Sequence, residues 1–229
     1  MKKIGSILII IVLIASCALL VGCGAKKTEL DMVKDKISYV QTGLYAGKND
    51  SFNVCLSIGK NEGMFIADGK SGNLENFCKL SLKPMKVDML AKTFTYKITG
   101  EAGTVSGEFK KEVLGNNLVS EIKDIAKVGK IKDIDIVFDD KTDKVVLENK
   151  MTGMTWDTAL QIAFDNDKES IMKDIVDKVY CKEVYIKFIN DITNGNSYYW
   201  YVAFIASNEK YTAILIDPLT SKILTKKSL

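Results

Sequence analysis

An unbroken apolar run over residues 4–21, directly behind Lys2 and Lys3, sets the first condition on this chain: it cannot fold as one body in water. A short positive segment followed by such a run is what the export machinery reads, with the lysines kept on the inner side. Residues 1–22 are therefore expected to be an export signal, and the rest to fold on the extracytoplasmic side. A retained transmembrane helix is the alternative, because a run of this length just suffices to cross a bilayer. Flanking charge does not decide between them, since Lys26 and Lys27 oppose Lys2 and Lys3. Either way a membrane holds the N-terminus.

The run closes in Leu20-Val21-Gly22-Cys23-Gly24, which resembles the bacterial lipobox. The resemblance implies cleavage before Cys23 and a diacylglycerol on its thiol, with palmitate as the expected acyl label. Two acyl chains anchor a protein stably, since each buried CH₂ contributes about 0.8 kcal/mol. A poorer match ends at Cys17. Cys23 is preferred because it lies at the end of the run and Gly24 follows it. Residues 23–35 then read as a lipidated, polar tether, and the cell membrane's outer face as the location.

Composition removes much chemistry. All 32 basic residues are lysine, so no guanidinium fork is present for bidentate capture of phosphate or carboxylate. Histidine is absent, which excludes Ser-His-Asp and Cys-His pairs, imidazole metal sites and the usual neutral-pH base. Net charge is only +3, with two of the lysines in the leader, which argues against a nucleic-acid partner. An enzyme would have to work with carboxylates or lysine, and no spacing here supports one.

Beyond Cys23 three cysteines remain, Cys55, Cys78 and Cys181. Strand parity sets Cys55 beside Asn53 and Ser57, away from the apolar positions Phe52, Val54, Leu56 and Ile58, whereas Cys78 shares its face with Leu80 and Leu82. A bridge between the two is thus not expected, and three lone thiols without histidine make a poor zinc site. They read as structural thiols.

Alternation marks strands at residues 37–40, 52–58, 64–67, 78–83 and 94–98, separated by glycine-rich turns. Several short strands at such spacing predict a sandwich. Asn116-Asn117 offers a cap for a helix over residues 118–128 that Gly129 would close. Strands follow at 131–138 and 144–148. Thr155 caps a further helix led by Trp156, Leu160, Ala163 and Phe164, and a second helical stretch is predicted over 169–178. Strands at 183–190, 198–206, 211–217 and 222–225 complete the chain, the first three joined by hairpin turns.

Residues 151–229 resemble the PepSY domain. The features that carry this are the opening Trp156-Asp157-Thr158-Ala159-Leu160, the aromatic strand Tyr198-Tyr199-Trp200-Tyr201-Val202, and the close Leu215-Ile216-Asp217, Thr220-Ser221-Lys222-Ile223-Leu224. Ser221 stands where that family usually has glycine. The resemblance implies a helix followed by an antiparallel meander, and a non-catalytic regulatory or binding role, some members being proposed to restrain peptidases. The β region before it is similar to the front half of lipoproteins from low-GC Gram-positive bacteria.

Two motifs fail on inspection. Gly69-Lys70-Ser71 lacks the earlier glycine of a phosphate loop, Met64 standing in its place, and reads as a β-turn. Asp133, Asp135, Asp139, Asp140 and Asp143 lack the glycine and distal glutamate of a calcium loop and read as a solvated edge. Tyr199 and Tyr201 are the candidate binding residues: they share one strand face, opposite Tyr198 and Trp200, with Val202 assigned to the Tyr199 side. Exposed aromatics there would suit a peptide or glycan, although cross-strand packing explains them too.

The fold expected is therefore α+β: an antiparallel β-sandwich-like domain over 36–150, then a PepSY-like helix plus meander over 151–229. The expected role is a surface-anchored, non-catalytic binding or regulatory lipoprotein that contacts an envelope peptide or peptidase. A structural envelope component or a carboxylate-dependent hydrolase is the alternative. No cofactor or metal is expected.

Overall fold

A computed structural model describes residues 27–229 apart from 64–66, 87–88, 90–91, 113–115, 192–196 and 207–209. The leader and Cys23 therefore lie outside the described residues. In order the elements are α1 (Glu29–Lys34), β1 (Ile37–Lys48), β2 (Phe52–Glu62), β3 (Leu74–Pro84), β4 (Thr95–Gly100), β5 (Thr104–Glu108), β6 (Lys110–Lys111) and β7 (Leu118–Glu121). A 3₁₀ turn (Ile125–Val128), β8 (Ile131–Phe138), β9 (Lys141–Val146) and β10 (Glu148–Asn149) follow. The last third holds α2 (Trp156–Asn166), α3 (Lys168–Lys173), β11 (Ile175–Val176), β12 (Val179–Tyr180), β13 (Glu183–Asn190), β14 (Tyr198–Ile205), β15 (Tyr211–Ile216) and β16 (Ile223–Ser228).

Mostly β with a few short helices, the chain is α+β in class. One large mixed sheet runs β16-β15-β14-β13-β1-β2-β3-β7-β6, with β10 added beside β1. All its neighbours are antiparallel except β1 and β13, which pair in parallel at Ile37↔Val184 and Val40↔Ile186. A second sheet of order β5-β4-β8-β9 is separate. The expected boundary at residue 150 does not divide the sheet, because β1 from the first expected domain is hydrogen-bonded to β13 of the second. A parallel pair needs a long crossover, and here it takes in most of the chain.

Two apolar cores lie in this frame. The first is enclosed where the small sheet packs on β2, β3 and β7, with Phe52, Leu56, Leu80, Leu82, Ile98, Ile134 and Ile136 fully buried. The second gathers α1, α2 and α3 against β1, β13, β14 and β15, around Trp200, Leu160, Val184, Ile186, Val202 and Ile214. α2 forms where expected: the Thr155 hydroxyl accepts from Thr158 N, and Ala159, Leu160, Ala163 and Phe164 make its buried stripe. Trp200 donates its indole N–H to Met154 O at 3.1 Å, fixing the segment that leads into this helix.

Several expectations need correction. Residues 118–128 are not a helix: Leu118 and Ile122 both reach the first core, but from β7 and its end, with Ser120 between them bonded to Tyr96 at 3.1 Å. A spacing of four fits both periods, and the polar Ser120 hid the alternation. The helix predicted over 169–178 stops at Lys173, because Asp177 and Lys178 take left-handed conformations (φ 50° and 63°) and turn β11 back into β12. Residues 28–35 are not a tether. Thr28 caps α1 in a capping box and Val33 is fully buried. The strand expected at 64–67 falls mostly outside the described residues, and Ala67 is in none.

Both ends of the large sheet are blunted. At one, β6 has two residues, both lysine. At the other, β16 is exposed over nearly all its length and carries Lys226 and Lys227.

Candidate functional site: an aromatic row on the open sheet face

The second core accounts for one side of β13, β14 and β15: Val184, Ile186 and Phe188 pair with Phe204, Val202 and Trp200 there. Val202 thus lies with Trp200 and not on the Tyr199 side. Tyr199 and Tyr201 point the other way, together with Tyr185 and, across the parallel pair, Tyr39. Phe77 joins them because it pairs with Gly59, on the same side of β2 as Asn61, the partner of Tyr39. None of Phe77, Tyr39, Tyr185, Tyr199, Tyr201 or Tyr211 belongs to either core, and all are half-buried.

These rings form a row across the strands. Phe77 and Tyr39 have centroids 5.3 Å apart, Tyr39 stacks on Tyr185 at 4.5 Å, and Tyr185 meets Tyr201 edge-on at 6.3 Å. Gly59 makes the first of these contacts possible. A Cβ there would sit 2.3 Å from Val40 O and 2.8 Å from the Phe77 ring. Next to Tyr201, the rung of Tyr185 continues into the small Ala203 and Ala213, with Tyr201 and Tyr211 on either side of the two alanines. Burial raises the phenol pKa of Tyr39, Tyr185 and Tyr201 above the ordinary value, so all three remain neutral hydroxyls. From β3 to β15 the row crosses five strand spacings, about 24 Å, the reach of about seven extended residues.

An open concavity of about 1230 Å³ adjoins the row, with Tyr39 and Phe77 in its wall and Cys55, Ser57, Lys79 and Lys187 among its lining. Cys55 therefore faces this concavity while Cys78 lies in the first core, on the opposite side of the sheet. Both thiols are free, and burial pushes that of Cys78 up to about 12. Neither is set up as a nucleophile.

At one end of the row Glu183 is fully buried, two residues before Tyr185, with neither carboxylate oxygen hydrogen-bonded. Glu62 and Asp68 are its charged neighbours, and the Gly69 amide and Ser38 hydroxyl lie nearby. Glu62, itself buried, accepts from Gly72 N at 2.5 Å, so residues 67–72 close over both carboxyls. Loss of hydration is the main reason that Glu183 titrates near 7, with repulsion from Glu62 adding to it. Two adjacent carboxyls are what a hydrolase would need, and here both are buried.

The sign of the resulting pH effect follows. A carboxyl of ordinary pKa 4.5 raised to about 7 in the fold gives stability that is full below pH 4.5 and lost as pH rises through 7. Glu183→Gln removes that dependence. Its unfolding free energy should lie close to the parent's near pH 5 and exceed it at pH 8 by about 2–3 kcal/mol, the linkage value of the raised carboxyl. Urea melts at the two pH values measure this, and parallel curves for parent and variant would refute it.

The rejected motifs stay rejected in the fold. Gly69 takes φ 81° in a turn where Asp68 accepts from Lys70 N at 2.9 Å. Asp133 and Asp135 lie not on a solvated edge but on β8, an inner strand of the small sheet, where both share Lys144 of β9 at 3.4 and 3.5 Å. Among the described residues no group of side chains is arranged to hold a metal ion, and no helix is long and apolar enough to cross a membrane. Comparison with protein families, with curated proteins and with solved structures gives no match to this chain.

Parity in the sequence therefore placed Tyr199 and Tyr201 together. It missed Phe77, Tyr39 and Tyr185, whose only signal was an aromatic at an alternating position in a strand of unknown neighbours.

Proposed function

We propose that this chain is a membrane-tethered, non-catalytic binding protein that takes an extended peptide segment of an envelope protein across its aromatic row. The observation that carries the reading is the row itself: six aromatic side chains that belong to neither core, gathered on one side of the sheet. Interiors hide aromatics, and an exposed cluster with hydroxyl tips suits a partner that offers both apolar side chains and backbone amides. Blunted sheet edges favour contact across the face over addition of a strand.

Anchoring through Cys23 rests on the lipobox-like sequence and on the short distance from it to Thr28, where folded structure begins. The PepSY-like reading of residues 151–229 draws support from α2 packed on one face of the meander β13-β14-β15-β16. Absence of histidine and arginine, and the burial of the Glu62–Glu183 pair, support a role without catalysis.

A chain of residues 24–229, immobilised and exposed to detergent-solubilised envelope, should retain a partner. Tyr185→Ala and Tyr201→Ala should each weaken retention about tenfold, the effect of losing about 1.4 kcal/mol, and Tyr199→Ala by less. Lys141→Ala, on the small sheet, should leave it unchanged. Retention that survives both of the first two changes would remove the reading.

A further inference from the structure

The hairpin β11–β12 shows apolar side chains where solvent should select polar ones. Ile175 and Tyr180 pair on its inner side and enter the second core, with Tyr180 only 1% exposed. Val176 and Val179 pair on the outer side at 56% and 47% exposure, and Met172 at the end of α3 adds 38%. The tip is a tight two-residue turn, Asp177-Lys178. Three lysines, Lys173, Lys178 and Lys182, surround the valines, against Asp174 and Asp177; Lys182 is held by Asp174 at 2.8 Å.

This corner is also where the folded chain starts. α1 packs on β12 and β13 and, at six residues, is only about 9 Å long. Lys27, the first described residue, is ion-paired to Asp35 at 2.5 Å, and Lys36 O accepts from Val184 N at 2.8 Å, just beyond the hairpin. Four residues lie between Cys23 and Thr28, so the five steps that join them reach about 18 Å when fully extended. An anchor at Cys23 therefore cannot hold the protein far from the bilayer, and it delivers this corner first.

We infer that the β11–β12 hairpin is a second membrane contact, in which Val176, Val179 and Met172 enter the headgroup boundary while the flanking lysines stay at its surface. The inference rests on the proposed anchoring at Cys23. Each valine alone would bind lipid weakly, but the tether supplies a high effective concentration, so a shallow insertion suffices. The contact fixes which corner of the protein faces the lipid.

Cys181 provides the probe. It is exposed beside the hairpin, whereas Cys78 is buried and Cys55 can be replaced by alanine. Lipidated mature protein, residues 23–229, carrying a polarity-sensitive dye on Cys181, is reconstituted into vesicles of equimolar phosphatidylethanolamine and phosphatidylglycerol doped with nitroxide-labelled phosphatidylcholine. Quenching of the dye by the labelled lipid is expected. It should vanish in Val176→Asp/Val179→Asp protein that still floats with the vesicles, and be absent for a dye on K141C in a Cys181→Ser background. A dye on Cys181 that is quenched no more than the control, on protein that floats, overturns the hairpin contact and leaves the anchor standing. Protein that does not float removes the anchor, and the hairpin contact with it.

Discussion

A chain that stops at residue 150 is expected to lose its cooperative unfolding transition altogether. β1 is the hinge of this expectation. Its antiparallel neighbour β2 belongs to the first 150 residues, but Ile37, Val40 and Leu44 are buried in the second core, against a meander and helices that all come later. Without them β1 would expose these three side chains, each worth about 1.5–3 kcal/mol when fully buried, and would lose its parallel ladder with β13. A total of that size rivals the whole stability of an ordinary domain. Far-UV circular dichroism of residues 24–150 against urea measures this, with limited proteolysis beside it. A sigmoidal transition at the midpoint of the full chain would show instead that two independent domains exist.

Trp200→Ala should be strongly damaging, lowering the unfolding free energy by about 3–5 kcal/mol. The indole is fully buried, meets Phe188 at 4.9 Å, and holds Met154 O through its N–H. Its removal opens a cavity at the centre of the second core and leaves that carbonyl without its donor. Tyr201, the next residue, gives the internal comparison. It points to the open side, so Tyr201→Ala should cost about 1 kcal/mol. Urea midpoints followed by circular dichroism separate the two. Equal losses would mean that the face assignment of β14 is wrong.

Much of this arrangement was legible in the residues. The strand at 131–138 and the Thr155-capped helix were plain because each carries one unambiguous period. Strand parity also set Cys55 and Cys78 on opposite sides and put Tyr199 with Tyr201. What could not be read was the partner of β1. Ser38 bonds to Val184 O across 146 residues, and no local pattern encodes such a neighbour. The aromatic row inherits that blindness, since Tyr39 and Tyr185 stack only because the two strands meet. Residues 118–128 and 174–178 failed for a different reason: short apolar segments fit both periods until a turn such as Asp177-Lys178 decides.

The blunt margins of the ten-stranded sheet bear on how copies of this protein coexist. Molecules confined to a common surface collide far more often than the same number free in solution, and a bare strand at the border of each would let them zip into ribbons. A two-residue stub at one border and a lysine-studded strand at the other make every such encounter fruitless. A protein tethered as proposed would then be densely displayed without polymerising through its sheet margins, and its aromatic row would stay available to the proposed partner.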